Sequence, residues 1–327
     1  MAAMTDVLIV GAGISGLLCA TELKRSGISV QLLDKGRGVG GRMSTRHMEG
    51  ARLDHGAQFF TVRDGLFQGY VDKWLSAGII KEWFRKAPYD SSPEGYPRYC
   101  GIGGIADVPR YLAQDLDVNC SEVVNAVQYQ DKVWSVSTQS GKIYQSRSLV
   151  ITSPLPQALG LLDTSGLDYA GDELEALQSI RYQRGLATLA ILEGPSGLSG
   201  NGFLQLGGTR VSWVADNQIK GISKRPCITL QSSPEFADSH WDSPDDIRGP
   251  LMIEVIADQL KSSISSFVCH RWGFAFSENR YRQPCFYNPA YALALAGDAF
   301  NGGRVEGAAL SGIQAAAELR KHDLVSN

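Results

Sequence analysis

Val7-Leu8-Ile9-Val10-Gly11-Ala12-Gly13-Ile14-Ser15-Gly16 reads as a strand, a tight turn and the start of a helix. The helical pattern continues with Ile14, Leu17, Leu18 and Leu23 on one side and stops at Ser26-Gly27. A second short apolar strand, residues 30–33, then delivers Asp34 at the distance where an acid meets ribose hydroxyls. Gly11 permits the tight turn, Gly13 lets the backbone approach a pyrophosphate, and Gly16 allows the helix to pack closely on the strand. Ser15 falls in the first helical turn, where backbone N–H groups and the positive dipole end favour a phosphate. A glycine triplet alone is weak in a chain with 36 glycines. Its placement after a strand, before a helix and ahead of an acid outweighs an ordinary ligand-free turn.

The 327 residues, 43% of them hydrophobic, can bury a large core as two joined domains or one large one. A formal charge of −3 creates no field that would gather nucleic acid or anionic membrane. No apolar run approaches the roughly 20 residues of a membrane span, and residues 1–6 are too short for a signal peptide, so a cytoplasmic protein is expected. Cys19, Cys100, Cys120, Cys227, Cys269 and Cys285 are scattered, with no C-x-x-C pair and no histidine at metal-ligand spacing. They read as reduced structural thiols, and no metal site is expected.

Further along, residues 123–129, 133–138 and 148–152 carry a β pattern, and residues 171–180 and 246–260 a helical one. Alternating segments at 187–192, 203–206, 211–214 and 228–231 predict a largely antiparallel sheet. Residues 86–97, rich in proline, serine and glycine, read as a surface connection or a lid. Residues 291–296 form a buried-type strand and residues 307–321 a helix, a closing strand–helix unit that rejoins the opening one. The expected fold is α/β, with a Rossmann-like ββα domain (parallel sheet plus β-meander) and a second domain of mixed or antiparallel sheet and helices. The discontinuous first domain is expected over 1–67, 96–157 and 270–327, and a substrate domain over 68–95 and 158–269.

Two later segments, Gly40-Gly41-Arg42 and Ala296-Gly297-Asp298, point with the first to FAD rather than NAD by their order and spacing. The run Asp34-Lys35-Gly36-Arg37-Gly38-Val39-Gly40-Gly41-Arg42 resembles the acid-to-glycine segment of the flavin-containing amine oxidase and glutathione-reductase-type FAD proteins. Within that superfamily the chain is similar to the renalase family. This rests on Leu53-Asp54-His55-Gly56-Ala57-Gln58-Phe59-Phe60-Thr61, on His270-Arg271-Trp272, and on Gly297-Asp298 followed by Gly303-Arg304-Val305-Glu306-Gly307-Ala308. The resemblance spans about the first 65 residues and the last 60 and is patchy between.

It implies that Gly11, Gly13, Ser15, Gly16, Asp34, Lys35, Gly40, Gly41, Arg42 and Val123 serve the dinucleotide. It places Gln58 and Phe59 along the isoalloxazine and Asp298 on a ribityl hydroxyl, and it implies Ala57, Arg304, Val305 and Glu306 as further cofactor-binding residues. Backbone N–H groups of the last helix, with Arg304 nearby, suit negative charge at flavin N1 and O2. Glu306 has an equally natural role as a helix cap. The chain departs from many amine oxidases in that Phe300-Asn301-Gly302-Gly303-Arg304 holds no cysteine, so the flavin is expected to be noncovalent.

His270 is the foremost functional histidine, at the expected end of a strand, with Arg271 and Trp272 as companions in orienting substrate; a hydrogen-bonded structural histidine is the plain alternative. His55 reads as a loop-positioning residue, and His47, His240 and His322 as solvent-facing. Trp272, Phe274, Phe276, Tyr281, Phe286 and Tyr287 cluster in sequence, a pattern commoner in cores than in cages. The resemblance implies an FAD-dependent oxidase that accepts hydride from dihydropyridine NAD(P) isomers and passes electrons to dioxygen. Amine oxidation, reduction of a quinone by NAD(P)H, and a flavin sensor without turnover stay open.

Overall fold

The computed structural model describes residues 4–87, 90 and 92–322. By its internal contacts the chain divides into two compact units, Met1–Gly41, Pro109–Arg181 and Ser277–Asn327, and Arg42–Val108 and Tyr182–Phe276. These bounds differ from the expected domains: residues 42–67, 96–108 and 270–276 belong with the second unit and 158–181 with the first. Packing explains the first difference, since Ala51 and Leu53 bury against Leu189, Ile191 and Cys227 of the second unit's sheet.

The first unit is built on a mostly parallel sheet. Asp117–Cys120, Val30–Asp34, Thr5–Val10, Ile143–Ile151 and Leu293–Leu295 run parallel in that order, and Phe286–Asn288 closes the edge antiparallel. Val7, Leu8 and Ile9 are fully buried, as a central parallel strand covered on both faces requires. Val124–Gln130 and Val133–Thr138 form a hairpin that joins Ile143–Ile151 antiparallel, the meander expected from the β pattern. Helix Ile14–Arg25 ends where Ser26 N–H and Gly27 N–H donate to Leu23 O and Lys24 O, with Gly27 left-handed at φ 80°. Helix Arg304–His322 begins three residues earlier than its apolar pattern suggested, and packs so closely on the first helix that a Cβ on Gly312 would lie 2.0 Å from Ser15 O.

The second unit has a five-stranded sheet ordered Phe203–Gln205, Val211–Asp216, Cys227–Ser232, Tyr182–Leu192 and Ile264–Ser277. The first four pair antiparallel. On one face Leu186, Ala190, Leu192, Val214, Ile228 and Leu230 pack with Phe236 of helix Pro234–Ser239 and Met252 of helix Asp245–Ile253. The other face carries the hairpin Thr45–Met48 and Ala51–Asp54. A second hairpin pairs Ile80–Phe84 with Arg98–Gly101, and helix Gly65–Ser76 starts at Asp64, whose carboxylate accepts from Leu66 and Phe67 N–H.

Of the 86–97 connection, Pro88, Tyr89 and Ser91 lie outside the described residues. Asp90 pairs with the buried Arg98 guanidinium, which also donates to Arg85 O and Tyr96 O. Among the described residues no helix is long and apolar enough to cross a membrane. The six cysteines are free, and Cys19, Cys100, Cys227 and Cys285 are buried.

Candidate functional site

In the first unit the turn after Thr5–Val10 has the shape its glycines demand. Gly11 is left-handed at φ 110°, and a Cβ there would meet Thr152 Oγ1 at 2.5 Å. A Cβ on Gly16 would lie 2.0 Å from Gly11 O, so the helix start seats on the turn only without a side chain. At Gly13 the added Cβ meets nothing within 4 Å, so the space beside that position is open. Helix Ile14–Arg25 has no side-chain cap and no acid in its first turn, and Ser15 Oγ is buried without a protein partner. Uncapped N–H groups, a buried unused hydroxyl and an open glycine fit a diphosphate.

Asp34 ends its strand with both oxygens held: Oδ2 accepts from Ala12 N–H at 2.6 Å and Oδ1 from Gly36 N–H at 2.7 Å. Each oxygen keeps a lone pair for a hydroxyl. Gly40 N–H donates to Ala12 O at 2.8 Å and Gly40 pairs with Gly13, so the second glycine segment lies against the first. Glu122 N–H donates to Asp34 O, which sets the neighbouring Val123 beside the same strand end. Lys35 is exposed, with Nζ 3.3 Å from Gln157 Oε1. Ala296 N–H donates to Ile151 O and Gly297 N–H to Ser311 Oγ, which carries the buried Asp298 to the end of the same sheet. Gly302, Gly303 and Arg304 are all left-handed; in Arg304, at φ 59°, this is uncommon for a residue with a side chain. Arg304, Val305 and Glu306 form the first turn of the last helix.

The second unit holds the other expected residues. Arg42 donates from Nη1 to Phe274 O at 3.1 Å, and its carbonyl accepts from Ala57 N–H. Gly56 is needed there, since a Cβ would lie 2.0 Å from Arg42 O. Gln58 is buried; Nε2 donates to Asp54 O at 2.8 Å, and Oε1 is without a protein partner. Phe59 packs with Trp83, Phe84 and Trp213, and Trp213 stacks on Phe203 with ring centres 4.9 Å apart.

His270 lies in the middle of the strand Ile264–Ser277 rather than at its end. Its ring contacts Trp272 at 4.4 Å and His55 at 4.8 Å, and His55 stacks on Trp272. Trp272 Nε1 donates to His55 O at 2.8 Å, and His55 Nε2 is 3.3 Å from Ser44 Oγ, while His55 Nδ1 is buried without a partner. Burial pushes the His55 imidazole down to about 4, with His270 and Arg46 adding repulsion, and burial and Arg46 lower His270 as well. Both rings are therefore largely neutral near pH 7.

Arg271 does not join this cluster. Successive residues of a strand face opposite ways, and the Arg271 guanidinium lies over the Trp241 ring at 5.5 Å and reaches Trp241 O. The aromatic run near the end of the chain is dispersed in the same manner: Phe274 meets Tyr182, Tyr281 meets Phe286 and Phe300, and Phe276 is exposed. Of the other histidines, His47 is exposed, His240 is half-buried and stacked on Phe236, and the His322 side chain lies outside the described residues.

Sequence reading missed a buried ion pair in the second unit. Lys220 Nζ donates to Asp54 Oδ2 at 2.7 Å and to Gln58 O at 2.6 Å, and sits 4.6 Å from the Trp83 ring centre. Asp54 Oδ1 accepts from Thr45 Oγ1 at 2.6 Å and Ile105 N–H at 2.9 Å. No local pattern announces the pair, because its partners are 166 residues apart and Lys220 sits in a polar turn.

Comparison with known proteins gives the setting. Residues 9–74 match the NAD(P)-binding Rossmann-like domain, and residues 77–320 match the flavin containing amine oxidoreductase family. The chain is 26% identical over 303 residues to renalase from Mus musculus, covering 83% of this chain and 85% of that protein. Its fold is similar to cyclohexylamine oxidase from Brevibacterium oxydans IH-35A, with a TM-score of 0.76 at 14% identity over 98% of this chain and 99% of the other. Wild-type putrescine oxidase bound to putrescine is also similar in fold, with a TM-score of 0.74 at 16% identity over 98% and 99% of the two chains. A family match over most of the chain, joined to a strand–turn–helix whose open glycine and unused serine fit a diphosphate, makes this chain a renalase homologue, an FAD-dependent oxidoreductase belonging to the flavin containing amine oxidoreductase family.

Proposed function

We propose that this oxidoreductase takes hydride from reduced pyridine nucleotides, foremost the 2- and 6-dihydro isomers of NAD(P), and passes the electrons to dioxygen from noncovalently held FAD. The observation that carries the donor assignment is the cluster of His55, His270 and Trp272. A neutral imidazole offers one donor and one acceptor, which complements a carboxamide. An alkylammonium calls instead for a carboxylate or an aromatic cage, and the Asp54 carboxylate is engaged by Lys220, Thr45 and Ile105. The similarity to renalase along most of both chains supports the same reading.

In this reading most of the FAD contacts come from the first unit, and Arg42 and residues 57–59, which serve the same cofactor, belong to the second. Ser15 Oγ, the N–H groups after Gly13 and the Gly40-Gly41 backbone would bind the diphosphate, with Lys35 and Arg42 as cations. Asp34 would hold ribose hydroxyls, Val123 would flank the adenosine, and Asp298 would accept from a ribityl hydroxyl. The first turn at Arg304, Val305 and Glu306 would favour negative charge at the ring edge, and Ala57, Gln58 and Phe59 would lie along the isoalloxazine. Bound FAD supplies a two-electron acceptor at flavin N5. His270 and Trp272 orient the donor, and a dihydropyridine needs orientation rather than removal of a proton by a base. Arg271, on the other sheet face, is left out of this role. The absence of cysteine from Phe300-Asn301-Gly302-Gly303-Arg304 supports noncovalent binding.

Amine oxidation is the second reading, favoured by the aromatic group Phe59, Trp83, Phe203 and Trp213. Anaerobic spectral titration tests the two, with dihydro isomers of NAD(P), NADH, NADPH and a panel of amines added in turn. Bleaching of the flavin band at stoichiometric isomer is expected, and bleaching by an amine alone would reject the proposal.

A further inference from the structure

We infer that Lys220 is a positioning residue that sets the Gln58–Phe59 peptide and the Trp83 ring for flavin contact, an inference that rests on the proposed placement of the flavin along residues 57–59. Lys220 is fully buried, and its ammonium has three N–H donors. One meets Asp54 Oδ2, one meets Gln58 O, and the charge lies over the Trp83 face. The Gln58 carbonyl belongs to the peptide that continues into Phe59, and Phe59 contacts Trp83 at 6.3 Å. One nitrogen thus fixes a peptide plane and lies over an aromatic neighbour of the residue that follows it, a ring whose Nε1 also donates to Asn201 O at 2.9 Å.

Stability does not explain the arrangement. A buried ion pair generally gains nothing over well-packed apolar residues of the same volume, so the role argued for this one is geometric. Asp54 is also held without the lysine, since its N–H reaches Asn217 Oδ1 and its carbonyl accepts from Thr229 Oγ1 and Gln58 Nε2. Asn217 Nδ2 donates in turn to Thr229 Oγ1. The lysine adds the tie to Gln58 O that this network lacks.

The test uses the holoenzyme. Asp54→Asn with Lys220→Met removes both charges at nearly constant volume, and Lys220→Arg keeps the charge but cannot put one nitrogen on all three partners. Three changes are expected in each variant that folds: a shifted flavin absorption band, faster backbone hydrogen exchange at residues 58–60, and a roughly 10- to 100-fold lower limiting rate of flavin reduction with little change in KM. A purely structural lysine would alter the melting temperature and leave band and KM-to-kcat balance as in the parent, and that result overturns the inference. Phe59→Ala separates the two layers. A shifted band there, with parent-like bands in the Lys220 variants, rejects Lys220 alone; a parent-like band in Phe59→Ala rejects the flavin placement and the lysine role together.

Discussion

Replacing Gly13 by alanine separates what the glycine turn does for the fold from what it does for the ligand. The backbone there, φ −77° and ψ 179°, suits any residue, and the new methyl meets nothing within 4 Å. A less flexible unfolded chain stabilises by about 0.4–1 kcal/mol, and loss of glycine at a helix N-cap offsets it by a similar amount. The net change in the FAD-free protein is then within about 0.5 kcal/mol. In the proposed site the methyl would stand where the diphosphate approaches, and overpacking of this kind costs about 1–3 kcal/mol. That corresponds to roughly 5- to 150-fold in Kd. Fluorescence titration of stripped protein with FAD, alongside thermal scans without it, measures both. Gly16→Ala is the contrast, because its Cβ would lie 2.0 Å from Gly11 O and should destabilise the protein with or without FAD. Parent-like FAD affinity in Gly13→Ala would refute the diphosphate assignment.

Three further outcomes are expected. His55 is held low by burial, to about 4, so the unfolded chain takes up a proton first; the stability is fully present above about pH 6.5 and lost as pH falls through about 4, and His55→Gln should flatten this part of a pH–denaturation profile. A parent-like acid slope in that variant would place the titration elsewhere. Acid or heat precipitation should release all flavin as intact FAD, and flavin left on the pelleted chain would contradict noncovalent binding. Asp298→Ala removes a buried charged acceptor and should weaken FAD retention by about 1.5–3 kcal/mol, measured by equilibrium dialysis; unchanged retention would remove Asp298 from the site.

The elements that build the first unit were legible because their signals are local. The apolar run, the glycine spacing and the acid at Asp34 lie within one short stretch, and the structure joins Asp34 to Ala12 by a 2.6 Å hydrogen bond. The apolar period starts three residues inside the last helix because Arg304-Val305-Glu306 follows three positions with no such period, and the left-handed backbone of Gly302, Gly303 and Arg304 turns the chain into it. The second unit was less legible. Its fourteen-residue strand Ile264–Ser277 carries polar residues on both faces, which hid its length and the opposite facing of His270 and Arg271. The pairing of Asp54 with Lys220 and the grouping of Trp83, Phe203 and Trp213 arise from strand order, which no spacing encodes.

The most direct measurement is anaerobic stopped-flow reduction of the flavin by competing donors, in the parent and in His270→Ala. The 2- or 6-dihydro isomers of NAD(P) are expected to bleach the parent faster than any primary or secondary amine. His270→Ala is expected to keep its FAD and to be reduced more slowly by the isomers, with reoxidation by dioxygen unchanged. Rapid bleaching by an amine and none by the isomers would contradict the account and leave an amine oxidase in its place.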